Sequence, residues 1–365
     1  MARKTTKLPS REFLQLAESF KDQSIGGWFF SEKLDGIRMF WDGGVTRGLP
    51  VLDVPFANVL KQDRFVAEQT ATGLWSRYGH PIFAPDAWIN KLPNFMLDGE
   101  VWLGRGLWQQ TSSIVRTLPE QRTESNWNSM KFKVFDTPPL TQMFSVGEIN
   151  NTNFVKIITH EIGSWFLARC EKTNARMVSR RGFGSQLKYL SKFLEENDVV
   201  SLHLQEQLPL AEGAAQLKLR EKFAELVKLG AEGAIVRAPH DEWTPVRSKL
   251  MLKVKQVNDA EATVTGYTSA EYGLTGAKLG LMGALIVDYM GKGFQIGTGF
   301  TDQEREFGDA ASTRWAKLMP GEVMPPHVIS KNFPRGSVVT FKYSEHTQDG
   351  LPKEARYHRK HNVTH

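Results

Sequence analysis

A chain of 365 residues with 41% apolar side chains exceeds one typical domain and can bury a substantial core, so two folding units are expected. Its one cysteine, Cys170, excludes an internal disulfide and a cysteine-based zinc cluster, leaves oxygen ligands for any metal, and fits a reducing cytoplasm. A net charge of +6 is compatible with a polyanionic partner, and no uncharged apolar run reaches membrane length, so a soluble cytoplasmic protein with no membrane partner is expected.

In chain order, residues 10–22 place Phe13, Leu16, Ala17 and Phe20 at helical spacing behind a Ser10 cap, which predicts a helix ended by "SIGG". A strand follows at 28–33, leading into "EKLDGIR" with its charges among large apolar side chains. "GGVTRG" at 43–48 reads as a second strand, "NFMLDGEVWL" at 94–103 as a third, and "KFKVFD" at 131–136 alternates like another. Residues 151–200 hold two helices around the basic "RMVSRRG", whose charges are read as a solvated surface. Leu219, Phe223, Leu226 and Val227 predict a helix over 217–229 with Gly230 as its stop, and "EGAIVR" is a short buried strand behind it. From about 259 the texture becomes β-rich, in "EATVTGY", "GALIVDYM", "GFQIGTGF" and "SVVTFKYSE", which predicts a small β-barrel joined near "KVKQVNDAE". The basic tail "KEARYHRKHNVTH" is expected to be partly mobile.

Three common chemistries find no motif. There is no G-x-x-x-x-G-K-[ST] phosphate loop, no H-E-x-x-H pair and no G-x-S-x-G elbow. What remains is a set of lysines, arginines and acids at strand ends: "EKLDGIR" (32–38), "TRG" (46–48), "LDGEVW" (97–102), "KVFD" (133–136), "EGAIVR" (232–237) and "LMLKVK" (250–255). Six such pieces in this order resemble the covalent nucleotidyltransferases, specifically the ATP-dependent DNA ligases of bacteriophage type. "GALIVDY", "FQIGTGFTDQER" and "FKYSEHTQDGLPKEARYHRKH" resemble the OB domain that follows the catalytic domain in that family.

The resemblance implies an α+β fold: an ATP-grasp-like nucleotidyltransferase domain over 1–256, then an OB-fold β-barrel over 257–365. It also implies ATP as substrate with Mg2+, for which Mn2+ is a possible substitute, and nicked duplex DNA as partner of a monomeric enzyme. The residue chemistry agrees. A lysine attacks an α-phosphorus only as the neutral amine, which suits Lys33 in its apolar strand, and alternate strand residues face one side, so Lys253 and Lys255 are candidates to balance charge on the phosphates. By resemblance Glu100 contacts the ribose, Glu232 and Glu100 hold the metal, and Phe135 stacks on adenine. Asp35 assists the later steps, and Arg38 and Arg47 grip the 5′-phosphate of the nick, a bidentate task suited to arginine. Lys342, Arg356, Arg359 and Lys360 are the DNA-facing candidates of the C-terminal part, with no clear choice for pyrophosphate among the last three.

Phe135 and Trp102 would each be core residues by type alone, and only Phe135 has a motif behind it. Glu232 alone could be a solvated residue after a helix. Glu32 is expected on the strand face opposite Lys33, as a structural or adenine-edge residue. Nicotinamide-dependent ligases are set aside because 32 residues precede Lys33 and no four-cysteine module is possible. A capping guanylyltransferase using GTP, an RNA ligase, and a DNA-binding protein on a dead ligase scaffold are the alternatives. Residues 139–215 match nothing that can be anchored.

Overall fold

The computed structural model of the protein describes residues 14–58, 66, 69–121, 123–139, 154–176, 182–197, 199, 202–271, 278–344, 346–347 and 349–360, with the backbone alone over 154–162. The chain divides between Val254 and Lys255 into two compact units. In the first, the strands are β1 (Leu16–Ser19), β2 (Phe29–Lys33), β3 (Ile37–Asp42), β4 (Leu74–Ser76) and β5 (Met96–Trp102), then β6 (Lys131–Asp136), β7 (Leu202–Leu204), β8 (Leu208–Pro209), β9 (Gly233–Arg237) and β10 (Arg247–Lys255). Its helices are α1 (Asp86–Ile89), α2 (Trp108–Val115), α3 (Glu124–Asn128), α4 (Phe154–Thr173), α5 (Phe183–Glu196) and α6 (Ala215–Lys228). The strands form two five-stranded sheets, ordered β1-β10-β9-β2-β8 and β4-β3-β5-β6-β7.

Each sheet packs one face against helices, and Phe40, Trp75 and Met96 put a further apolar cluster on the other face of the second sheet. Alternation sends Met39, Trp41, Leu97, Val101, Phe132 and Val134 to one side of the second sheet, where Trp88, Trp127 and Leu190 from three helices cover them. In the first sheet Phe30, Ala234, Val236 and Leu252 pack against Ala215 and Leu219 of α6. The polar residues between these positions are thereby forced onto the remaining faces, and that is where the charged motifs lie.

Two sequence expectations are corrected. Leu16–Ser19 is a strand rather than part of a helix: β1 runs parallel to β10, and its flanking amides are satisfied there, Leu16 N donating to Val246 O at 3.1 Å and Phe20 N to Lys253 O at 3.0 Å. Pairing with a distant strand has overridden a local helical period; Ser10 and Phe13 lie outside the described residues. Residues 43–48 form turns, not a strand, because Gly43, Gly44 and Gly48 take φ of +77°, +85° and +80°, left-handed values that break an extended ladder. The other expected elements overlap observed ones, including the helix that Gly230 terminates at φ +75°, although the strand read in "GFQIGTGF" stops at Ile296. Residues 177–181 of "RMVSRRG" and 361–365 of the tail lie outside the described residues.

The second unit is a sheet of β11 (Asn258–Ser269), β12 (Met282–Tyr289), β13 (Lys292–Ile296), β14 (Val338–Tyr343) and β15 (Arg356–Lys360), with helix α7 (Ala310–Leu318). The order is β13-β12-β11-β14-β15, and among the described residues no ladder joins its two edges. The predicted barrel is instead drawn together just past β13: Tyr357 N donates to Thr298 O at 2.9 Å, and the Phe300 ring stacks on Tyr357 at 4.5 Å. Gly299, at φ +98°, makes this approach possible, since a Cβ there would collide with the Tyr357 carbonyl oxygen. Among the described residues no helix is long and apolar enough to cross a membrane.

The Phe132 ring is fully buried between the second sheet and its helices, so Phe132→Ala should cost roughly 3–5 kcal/mol through the cavity it leaves. A lowered urea midpoint in tryptophan fluorescence would register it; an unchanged midpoint would contradict the packing described.

Candidate active site

The candidate site starts at the end of β2. Antiparallel pairing sets Lys33 opposite Gly233, so Glu232, one residue before β9, lies just beyond the strand end. The Lys33 ammonium donates to Glu232 Oε2. Asp35 and Gly36 then carry the chain to the second sheet. A Cβ on Gly36 would meet the Val101 carbonyl oxygen and lie 2.8 Å from Glu100 Cγ, so only glycine lets this link pass against β5. That close passage is the reason for a glycine inside the charged motif.

Register then lines up a row across the second sheet, Arg38 opposite Glu100 and Glu100 opposite Lys133. Burial pushes the Glu100 carboxyl up to about 7, against the opposing pull of Lys33 and Arg38, while Glu232 and Asp98 add to the rise. Lys33, Glu232, Glu100 and Arg38 therefore share one electrostatic neighbourhood in a cleft between the two sheets of the first unit. Lys253 alternates with Leu252, whose side chain is in the oily core, and so projects from the face of the first sheet that also carries Lys33.

Beneath this cleft lies a buried network. Arg38 donates from Nε and Nη2 to the two oxygens of Asp98 at 2.6 and 2.7 Å, and its guanidinium lies 4.5 Å from the centre of the Phe135 ring. Trp243 Nε1 also donates to Asp98, at 3.1 Å. Arg237 of the first sheet reaches Asp136 of the second at 2.5 Å, Asp241 at 2.7 Å and Gln15 Oε1 at 2.7 Å. Gln15 links the two arginines, since its carbonyl accepts from Arg38 Nη2 at 3.3 Å. Ser248, at the root of β10, donates to Asp241 at 2.8 Å.

Sequence reasoning missed Gln15, Asp98, Asp136, Arg237, Asp241 and Trp243. Asp98, Asp136 and Arg237 nevertheless stand inside the quoted motifs; a charge centred in an apolar strand was the available signal. Phe135 is half-buried on the cleft face, with Arg38 on its ring. Trp102, on the same face of β5, is also half-buried. Glu32 forms a two-point pair with Arg105, 2.7 Å for each bond.

Arg47 rides the turn after β3 and donates to the exposed Asp86 at 2.8 Å, a surface pair of small energy. The buried Asp42 carboxylate shapes that turn, accepting from Gly44 N at 2.9 Å, Thr46 N at 3.3 Å, Thr46 Oγ1 at 2.5 Å and Trp75 Nε1 at 3.0 Å. Burial raises Asp42 to about 6 despite these bonds. Lys255 belongs to the second unit, where its ammonium pairs with Glu354 at 2.9 and 3.0 Å. Lys342, Arg356, Arg359 and Lys360 are exposed on the adjacent strands β14 and β15, and Lys360 Nζ lies 5.5 Å from the centre of the Phe333 ring.

Residues 275–360 match the family described as DNA ligase OB-like domain. A solved structure from a study of Lig E DNA ligases superposes with a TM-score of 0.62 at 26% identity, covering 95% of this chain and 98% of that one. Its fold is that of the DNA ligases. Sequence similarity runs along the same length: a DNA ligase of Haemophilus influenzae is 26% identical over 346 residues, 95% of this chain and 91% of that protein. Pmar-Lig, at 17% identity and a TM-score of 0.61 over 96% of this chain and 67% of that chain, shares the fold. Within the ligase fold, the charged cleft of the first unit is the region built from five of the six sequence motifs, while "TRG" lies on the turn that follows β3.

Among the described residues no cluster of three or more metal-ligating side chains occurs. Glu100 and Glu232 nevertheless suit magnesium, which is commonly held by one or two carboxylates and completed by phosphates and water.

Because folding lifts Glu100 from 4.5 to about 7, the folded state holds this proton more tightly than the unfolded chain. The associated stability is full below about pH 4.5 and lost as pH rises through 7. Glu100→Gln, a mimic of the protonated form, should match the wild type in acid and exceed it by about 3 kcal/mol above neutrality. Urea unfolding of both proteins at the two pH extremes gives the comparison; equal stability at both would refute the burial argument.

Proposed function

We propose that this protein is an ATP-dependent DNA ligase that seals nicks between a 3′-hydroxyl and a 5′-phosphate in duplex DNA. The observation that carries this reading is the convergence of Lys33, Glu232, Glu100 and Arg38 in one cleft. A lone lysine would support many roles. A lysine flanked by carboxylates and phosphate-binding cations suits attack on a phosphoric anhydride.

In the first step Lys33 Nζ bonds to the α-phosphorus of ATP as the bond to pyrophosphate breaks, and the amine proton passes to solvent. An oxygen of the nick's 5′-phosphate then takes the adenylyl group, returning Lys33 as an amine. Finally the 3′-hydroxyl attacks that 5′-phosphorus and AMP departs. Lys253 would balance charge on the phosphates, Phe135 would offer its ring to adenine, and Glu100 the ribose contact. Arg38, with Nε and Nη2 committed to Asp98, retains Nη1 for a phosphate, while Asp35 and Arg47 would serve the two DNA steps. Glu100 and Glu232 would hold a magnesium or manganese ion, which supplies positive charge beside the phosphates when bound. The exposed basic residues of β14 and β15 would face DNA, giving an affinity that falls steeply with salt.

Wild type and Lys33→Ala are to be incubated with α-labelled ATP and separately with α-labelled GTP, run on a denaturing gel, and then given nicked duplex. Label from ATP alone, absent in Lys33→Ala and discharged by the nick, is the expected result. Label from GTP would instead indicate capping chemistry, discharge only by a nicked RNA strand an RNA ligase, and no label from either a binding protein.

A further inference from the structure

The turn at 43–48 is held from two sides, and only one of them is local. Inside, Asp42 ties together the amides of Gly44 and Thr46, the Thr46 hydroxyl and the Trp75 indole, all without exposure at the carboxylate. Outside stands α4, from the segment 139–215 to which the sequence motifs assign nothing. Its Arg169 donates from Nε and Nη2 to the carbonyl oxygen of Val45, at 3.3 and 3.2 Å. Val45 is fully buried, and Phe166 and Cys170 of α4 lie in the same apolar cluster as Val45, Phe56 and Trp75. The carbonyl so engaged belongs to the second residue before Arg47.

We infer that Arg169 is a positioning residue for Arg47. With Asp42 it clamps the turn, so that the orientation of the Arg47 guanidinium toward a phosphate depends on α4. The chemistry favours this over simple packing. Arginine spends two donors on one backbone carbonyl, a use that fixes the direction of a peptide unit, whereas the apolar contacts of Phe166 and Cys170 already attach the helix. Among the described residues Arg47 pairs with the exposed Asp86, a weak surface contact, so its reach is set by the backbone that carries it. The inference rests on the ligase reading for the ligand, the 5′-phosphate of a nick, and on geometry alone for the clamp.

The test separates the two. Hydrogen–deuterium exchange of Arg169→Ala should rise about tenfold at the amides of 44–49 and stay unchanged in β5 and β6, with Arg169→Lys intermediate. In step-resolved assays Arg169→Ala should label Lys33 from ATP as the wild type does, while the KM for nicked duplex rises about three- to tenfold. Arg47→Ala should raise it at least as far, and the double variant no further than Arg47→Ala alone, because one residue acts through the other. Additive losses, an equal loss of labelling, or an Arg47→Ala variant with unchanged KM would overturn the coupling. Unaltered exchange at 44–49 would overturn the clamp whatever the assays give. A wild type that neither takes label nor seals nicks, with exchange still raised in Arg169→Ala, would remove the ligase reading and the assigned role of Arg47 while leaving the clamp standing.

Discussion

The ion pair between Arg237 and Asp136 is the interaction on which the first unit depends. It joins the inner faces of two sheets whose opposite faces pack against separate sets of helices. Two charges removed from water so completely cost several kcal/mol each unless every donor and acceptor is met. Here Asp241, Gln15 and Ser248 complete the set, and the Phe183 ring lies 4.2 Å from the guanidinium. Such a network rewards one separation of the sheets and penalises others. The cleft above it, with Lys33 on one wall and Glu100 on the other, inherits that separation.

A second consequence of this layout is that the candidate binding groups are each held by a buried acid or amide. Asp98 fixes Arg38, Asp42 shapes the turn of Arg47, and Gln15 links the two arginine centres. Under the proposed function, preorganisation of this kind would lower the cost of orienting cations around a phosphate. It also explains why acids are so frequent inside apolar strands of a basic protein.

Much of this was legible in the sequence, and the failures have physical causes. The strands at 29–33, 96–102, 131–136 and 233–237 announced themselves because each is a short run of β-branched, aromatic and other apolar residues bounded by charge or glycine. The helix at 215–228 carried both its stripe and its glycine stop. β1 was misread because its pairing partner is more than two hundred positions away, and a four-residue stretch cannot display a period strongly enough to compete with that. The 43–48 turns were misread because β-type residues surround glycines whose positive φ only the structure reveals. In the cleft, lysines and arginines were visible as candidates from their motifs. Asp98, Asp136 and Asp241 were not, since an acid declares its role only through the cation it faces, and those cations come from other strands.

Tyr357 is the one buried side chain of β15, flanked by exposed Arg356, His358, Arg359 and Lys360. Its amide and ring are also what hold the last strand of the second unit to the stretch after β13. Curvature and charge display are consequently linked in this unit: if the sheet unrolled, the cationic and imidazole side chains of β15 would move with the strand that carries them. A polyanion lying along that edge would in turn act as a staple, resisting the unrolling in proportion to how many of them it engages.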